Sequence, residues 1–126
     1  IAMGKVTKLN EYQERALSTC MPSCHNIAYG LSGLTAEVGE FNDKIAKWIR
    51  KGICEIRDNQ LVFKVPKQEA DAYMVELVKE LGDVMWFPCL IANLLGYTLE
   101  DVCQINLDKL KDRARRNVID GCGDNR

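Results

Sequence analysis

Apolar residues recur at steps of three and four from Leu34 through Val38, Phe41 and Ile45 to Ile49, and Gly52 follows as a stop. A run of that period carries one apolar stripe and is stable only when laid against something else, so it predicts a long amphipathic helix over residues 27–51. The same reading predicts three more helices. Leu9, Tyr12, Ala16, Leu17 and Cys20 mark a first one over 9–20, with Asn10 as a cap, and the turn residues that follow end in Asn26, a cap for the long helix. A third spans about 68–95 and is closed by Gly96, and Thr98 with Asp101 forms the capping box of a fourth that ends near Asn117. Between the second and third the period shifts towards two. Ile56, Leu61, Phe63 and Val65 flank Asp58-Asn59, consistent with a small β-hairpin inserted at 53–65. The expected fold class is all-α: four helices and one hairpin.

The 126 residues suit a single domain, with a mobile tail over 118–126, and Ile1 and Ala2 ahead of Met3 read as residues left by cloning. Seventeen basic against eighteen acidic residues leave a net charge of -1, so no global field draws the chain to nucleic acid or to an anionic membrane. The most apolar stretch, 84–95, is too short to span a bilayer and contains Pro88 and Asn93. It is apolar nearly all round, which predicts cover by another chain, or else a place as the central core helix of a monomer, with a kink at Pro88. Six cysteines without a leader pattern predict reduced thiols in a cytoplasmic protein, and the Cys20/Cys24/His25 spacing is not that of a zinc site.

Glu37 and Glu40 lie three apart at one margin of the Leu34/Val38/Phe41/Ile45 stripe, and Glu80 and Asp83 repeat the device beside Leu77, Leu81 and Val84, with Glu76 one turn earlier. If the two helices pack antiparallel through those stripes, four carboxylates converge. Two ionised carboxylates ~5 Å apart repel by about 3 kcal/mol at an effective dielectric of ~20, so such a cluster calls for a cation. Hard oxygen donors without imidazole or thiolate favour Mg²⁺ or Mn²⁺, and a di-iron site would want a Glu-x-x-His pair that is absent. The bland alternative is two solvated acidic helix faces. On the fourth helix Asn106, Lys109 and Arg113 share one face, which suits phosphate or is simply a basic helix end. Trp48 reads as core before it reads as a base-stacking residue, and Lys44 is placed to pair with Glu40 one turn back.

Taken in order, Leu34-Thr35-Ala36-Glu37-Val38-Gly39-Glu40-Phe41, Lys79-Glu80-Leu81-Gly82-Asp83-Val84 and Asn106-Leu107-Asp108-Lys109-Leu110 with Arg113 resemble the MazG-like nucleotide pyrophosphohydrolases of the all-α NTP pyrophosphatase superfamily. The resemblance runs from residue 9 to about 113. It implies Mg²⁺-dependent hydrolysis, with Mn²⁺ as a substitute, of nucleoside triphosphates between the α and β phosphates, in nucleotide-pool house-cleaning. Glu37, Glu40, Glu80 and Asp83 would be metal ligands, with Glu37 or Glu40 as general base. Lys109, Arg113 and Asn106 would contact phosphate. Gln13, in the opening Asn10-Glu11-Tyr12-Gln13, would contact substrate. The resemblance also implies a homodimer or homotetramer. Two alternatives remain open: a diphosphohydrolase of narrower substrate, such as dUTP or a phosphoribosyl-nucleotide, and a non-catalytic helical module that binds Mg²⁺ or nucleotide.

Overall fold

The computed structural model describes residues 4–117, 119–121, 123 and 124. Among them are four α-helices, α1 (Leu9–Leu17), α2 (Ile27–Arg50), α3 (Lys67–Leu94) and α4 (Leu99–Arg115), with a 3₁₀ turn at Pro22–Cys24 and a hairpin, β1 (Cys54–Arg57) and β2 (Gln60–Phe63), between α2 and α3. The fold is the all-α, four-helix arrangement with a hairpin that the periodicities predict. Positions 1–3 and, within the predicted mobile tail, 118, 122, 125 and 126 lie outside the described residues.

The helix ends follow local chemistry. Asn26 Oδ1 accepts from Tyr29 N at 2.8 Å, and Thr98 and Asp101 cap each other reciprocally at the start of α4. Gly52 and Gly96 take positive φ just past α2 and α3, where a left-handed residue ends the helix and the next N–H closes back on Trp48 O and Ala92 O. Asp58 and Asn59 both have positive φ, the backbone of a two-residue hairpin turn, and the strands pair antiparallel with Cys54 opposite Phe63. Asn10 is not the cap of its own helix. Its side chain instead reaches α4, accepting from Glu100 N at 2.9 Å and donating to Glu100 Oε2 at 2.7 Å.

The pair α2 and α3 forms the spine, and partner numbers on α3 fall as those on α2 rise. Gly30 meets Ile91 and Gly33 meets Phe87 at one end, Lys44 meets Glu76 and Glu80 further on, and Trp48 meets Tyr73 at the other. The helices are therefore antiparallel. A side chain at position 33 would put its Cβ 2.0 Å from the Phe87 ring, so the absence of one is what lets the two backbones approach there.

The core has two parts, one at each end of this pair. At the hairpin end Trp48, Cys54 and Leu77 are buried, with Phe41, Ile45, Ile53, Leu61, Phe63 and Tyr73 packed on them. At the other end Ala16, Phe87, Cys89, Leu90, Ala92 and Leu99 are buried where α1 and α4 join α3. Within 84–95, Phe87, Cys89, Leu90 and Ala92 are buried by this chain's own helices, as the core-helix alternative requires, whereas Met85 and Leu95 stay exposed. The α-helix also continues through Pro88 to Leu94. The exposed apolar side chains of α3 start before that stretch, at Met74, Val78 and Leu81, and run into it at Met85. The five described cysteines, Cys20, Cys24, Cys54, Cys89 and Cys103, are all free, and burial pushes the Cys89 thiol up to about 11.

Candidate metal and phosphate site

Between the two parts of the core the apolar contact of α2 with α3 is interrupted by acids. Because the helices are antiparallel and Gly33 sets their register against Phe87, Glu37 comes level with Asp83 and Glu40 level with Glu80. Carboxylate oxygens of Glu37, Glu40 and Glu80 all lie within 4.8 Å of one another. Asp83 is outside this tightest group but lines one cavity together with Glu37. Three of the four carboxylates expected to converge therefore form one cluster, and Asp83 stands beside it.

Glu37 is the member under most electrostatic pressure. Partial burial, then the charges of Glu40, Asp83 and Glu80, push its carboxyl above the ordinary glutamate range. Its Oε2 is buried and has no hydrogen-bond partner. A buried carboxylate oxygen without a donor is a costly arrangement for a protein alone, and it fits a hard divalent cation among three or four carboxylates. The donor set and the orphaned oxygen therefore suit the metal that the motifs imply.

One cation of the chain already stands beside the cluster. Lys44 Nζ lies 2.9 Å from Glu80 Oε1 and 3.8 Å from Glu76 Oε2, and its hydrogen bond to Glu80 raises the ammonium pKa. This corrects the expected pairing with Glu40. It leaves Glu37, Glu40 and Asp83 without a cationic partner among the described residues.

The basic face of α4 forms a second group. Lys109 Nζ and Arg113 Nη2 each lie 3.0 Å from the same oxygen, Asp124 Oδ1, and their hydrogen bonds hold the Asp124 carboxyl below its usual range. Arg113 is 5% exposed and its Nε has no partner, so the head is fixed in place and one N–H is spare. Asn106 is exposed on the same helix. Neither Lys109 nor Arg113 forms an ion pair with the four carboxylates. Two cations converging on one oxygen is the arrangement that an anion requires.

Gln13 does something other than the expected substrate contact. It is 6% exposed, its Nε2 donates to Cys89 O at 3.1 Å and Tyr97 O at 3.3 Å, and its Oε1 accepts from Leu99 N at 2.9 Å. Its amide ties α1 to the end of α3 and the start of α4. Trp48 is core, 6% exposed against Tyr73 and Phe63. The residues that sequence reasoning missed are Thr19, Tyr29 and Trp86, which line the cavity over Glu37 and Asp83. A signal existed, since Tyr29, Gly33 and Glu37 repeat at four, and Trp86 follows Asp83 by three.

No helix of the described residues is long and apolar enough to cross a membrane. Compared with known proteins, the chain is 38% identical over 104 residues to the Gene 37 protein of Mycobacterium phage L5, an alignment covering 82% of this chain and 80% of that one. No solved structure matches it. The family model of the MazG nucleotide pyrophosphohydrolase domain matches residues 28–118, a span that contains both acidic pairs and the Lys109/Arg113 face. On that match the chain belongs to the MazG nucleotide pyrophosphohydrolase family.

Proposed function

We propose that the chain hydrolyses nucleoside triphosphates between the α and β phosphates, releasing a monophosphate and pyrophosphate, with Mg²⁺, or Mn²⁺ in its place, held by Glu37, Glu40, Glu80 and Asp83. The observation that carries this reading is the convergence of Glu37, Glu40 and Glu80 around a buried, unpartnered Glu37 oxygen. A divalent cation bound there supplies positive charge next to the reacting phosphates and acidifies water. One carboxylate of the Glu37/Glu40 pair takes the proton of the attacking water as its oxygen bonds to the α-phosphorus. The bond from that phosphorus to the bridging oxygen breaks, and pyrophosphate leaves with the electron pair. Lys109 and Arg113, with Asn106 beside them, meet phosphate charge, and Asp124 then gives up the position it holds on those two cations. Turnover of a panel of ribo- and deoxyribonucleoside triphosphates in Mg²⁺ tests the reading, with products separated by chromatography. Monophosphate and pyrophosphate are expected; diphosphate and orthophosphate, or no product from any of them, would contradict it.

Self-association belongs to the same proposal. Met74, Val78, Leu81 and Met85 repeat at four, three and four along α3 and are all exposed, the pattern of a helix seam that wants a second helix. The occupant we assign is a second copy of the chain, giving a dimer or a dimer of dimers. Sedimentation should return that mass for the wild type and a monomer for the Val78→Glu, Leu81→Glu double variant. A wild type that sediments as a monomer rules the seam out.

A further inference from the structure

The two cations assigned to phosphate already hold an anion of the chain's own. Lys109 Nζ and Arg113 Nη2 each stand 3.0 Å from Asp124 Oδ1, and Arg113 Nη2 also donates to Gly123 O at 3.2 Å. Asp124 reaches them from beyond the end of α4, and its side chain is 82% exposed where that of Arg113 is only 6% exposed. The carboxylate therefore covers the guanidinium from the solvent side, while the guanidinium is fixed in the protein. A phosphate arriving from solvent meets Asp124 first. The two cannot sit there together, because both are anions and both need the one position on which the cations converge.

We propose that Asp124 is an intramolecular competitor of phosphate, a carboxylate that closes the Lys109/Arg113 site until a ligand of higher charge displaces it; the proposal rests on the assignment of those cations to phosphate above and adds how the site is guarded. Three features suit displacement rather than a permanent bond. The Asp124 end of both ion pairs is in solvent, where such pairs are weak, so the contact can open. Arg113 Nε has no partner while Asp124 is in place, so this occupant leaves the guanidinium incompletely bonded. The contact also depends on one backbone conformation. Gly123 has a φ of +79°, which L side chains rarely adopt, yet a Cβ there would meet nothing within 4 Å, so the backbone and not packing asks for glycine. A tethered carboxylate competes at a high effective concentration, and a site closed for part of the time binds every phosphate ligand more weakly by the same factor. Pyrophosphate is such a ligand, so its return to the site after cleavage is opposed as well.

Calorimetry on the full chain in Mg²⁺, with inorganic pyrophosphate and inorganic triphosphate as probes, compares wild type, Asp124→Asn and Gly123→Ala. Asp124→Asn is expected to tighten both ligands by a common factor of about three to ten, the range for two solvent-exposed ion pairs. Gly123→Ala is expected to tighten them in the same direction. It strains the backbone that presents Asp124 but leaves every charge in place, so it separates release of the competitor from a general change in net charge. In turnover, the KM for a triphosphate and the inhibition constant of pyrophosphate should fall together in both variants. Unchanged or weaker pyrophosphate binding by Asp124→Asn overturns the proposal, since Asp124 would then be idle or would prop the cations in place. Tightening by Asp124→Asn with none by Gly123→Ala overturns it as well, and so does absence of pyrophosphate binding in all three proteins. These readouts need no turnover. Tightening by both variants supports the competitor even if product analysis contradicts cleavage between the α and β phosphates, and unchanged binding overturns it even if the wild type cleaves there.

Discussion

Replacing Glu37 by glutamine is expected to lower kcat/KM for a triphosphate by about 10³-fold, close to 4 kcal/mol of transition-state stabilisation, because a metal ligand or base is lost while shape is kept. The metal-free fold should not suffer. Glu37 is crowded by Glu40, Asp83 and Glu80, and its neutral replacement removes repulsion rather than an attractive partner. The pH dependence in EDTA separates these effects. A carboxyl whose folded pKa is raised binds its proton in the native state at a pH where the unfolded chain, with a glutamate pKa of about 4.3, has released it. Metal-free wild type therefore loses stability as pH rises from that value through the elevated one, with the full penalty above it, and the glutamine variant lacks this component. Thermal melts in EDTA across that window, alongside steady-state kinetics in Mg²⁺, check both halves. A variant of unchanged turnover would take Glu37 out of the site.

Trp48→Ala is expected to cost about 3–5 kcal/mol and to lower Tm by about 10–20 °C. Trp48 is buried against Tyr73 at 5.1 Å and Phe63 at 6.0 Å, so truncation empties the place where α2, α3 and the hairpin meet. Trp48, Cys54 and Leu77 are the buried centre of that cluster, and partly buried side chains packed on them would be left facing the gap. Against a typical net stability of about 5–15 kcal/mol this is a large fraction, and denaturant unfolding should show it as a lower midpoint. Trp48→Phe, which keeps a ring, should lose less. A Tm for the alanine variant within a few degrees of wild type would mean that the hairpin end is not part of the stability-bearing core.

Much of this was legible because local chemistry and tertiary demand agree. Gly52, Gly96, Asn26 and the Thr98/Asp101 pair act where the sequence places them, since a cap or a left-handed stop needs only its neighbours. The meeting of Glu37 and Glu40 with Glu80 followed from one added assumption, antiparallel packing. What was not legible depended on partners distant in sequence. Gln13 and Asn10 look like surface residues of α1 until α4 supplies the backbone groups they bond. The apolar stretch after Asp83 looks uniform in the sequence, yet Phe87, Cys89, Leu90 and Ala92 are buried while Met85 continues the exposed seam of Met74, Val78 and Leu81. Lys44 pairs with Glu80 across the helix pair rather than with Glu40 one turn back, a choice that spacing along one helix does not reveal. Trp86 sits in an apolar run, where a tryptophan reads as core, yet its ring tethers α1 and lines the same cavity as Glu37 and Asp83.

The central claim is that two acidic pairs on two helices grip divalent cations together. Anomalous diffraction from crystals grown with Mn²⁺ and an α,β-methylene triphosphate analogue tests it most directly. The account predicts an anomalous peak within coordination distance of oxygens from Glu37, Glu40 and Glu80. Carboxylates turned outward into solvent, with no peak among them, would contradict it.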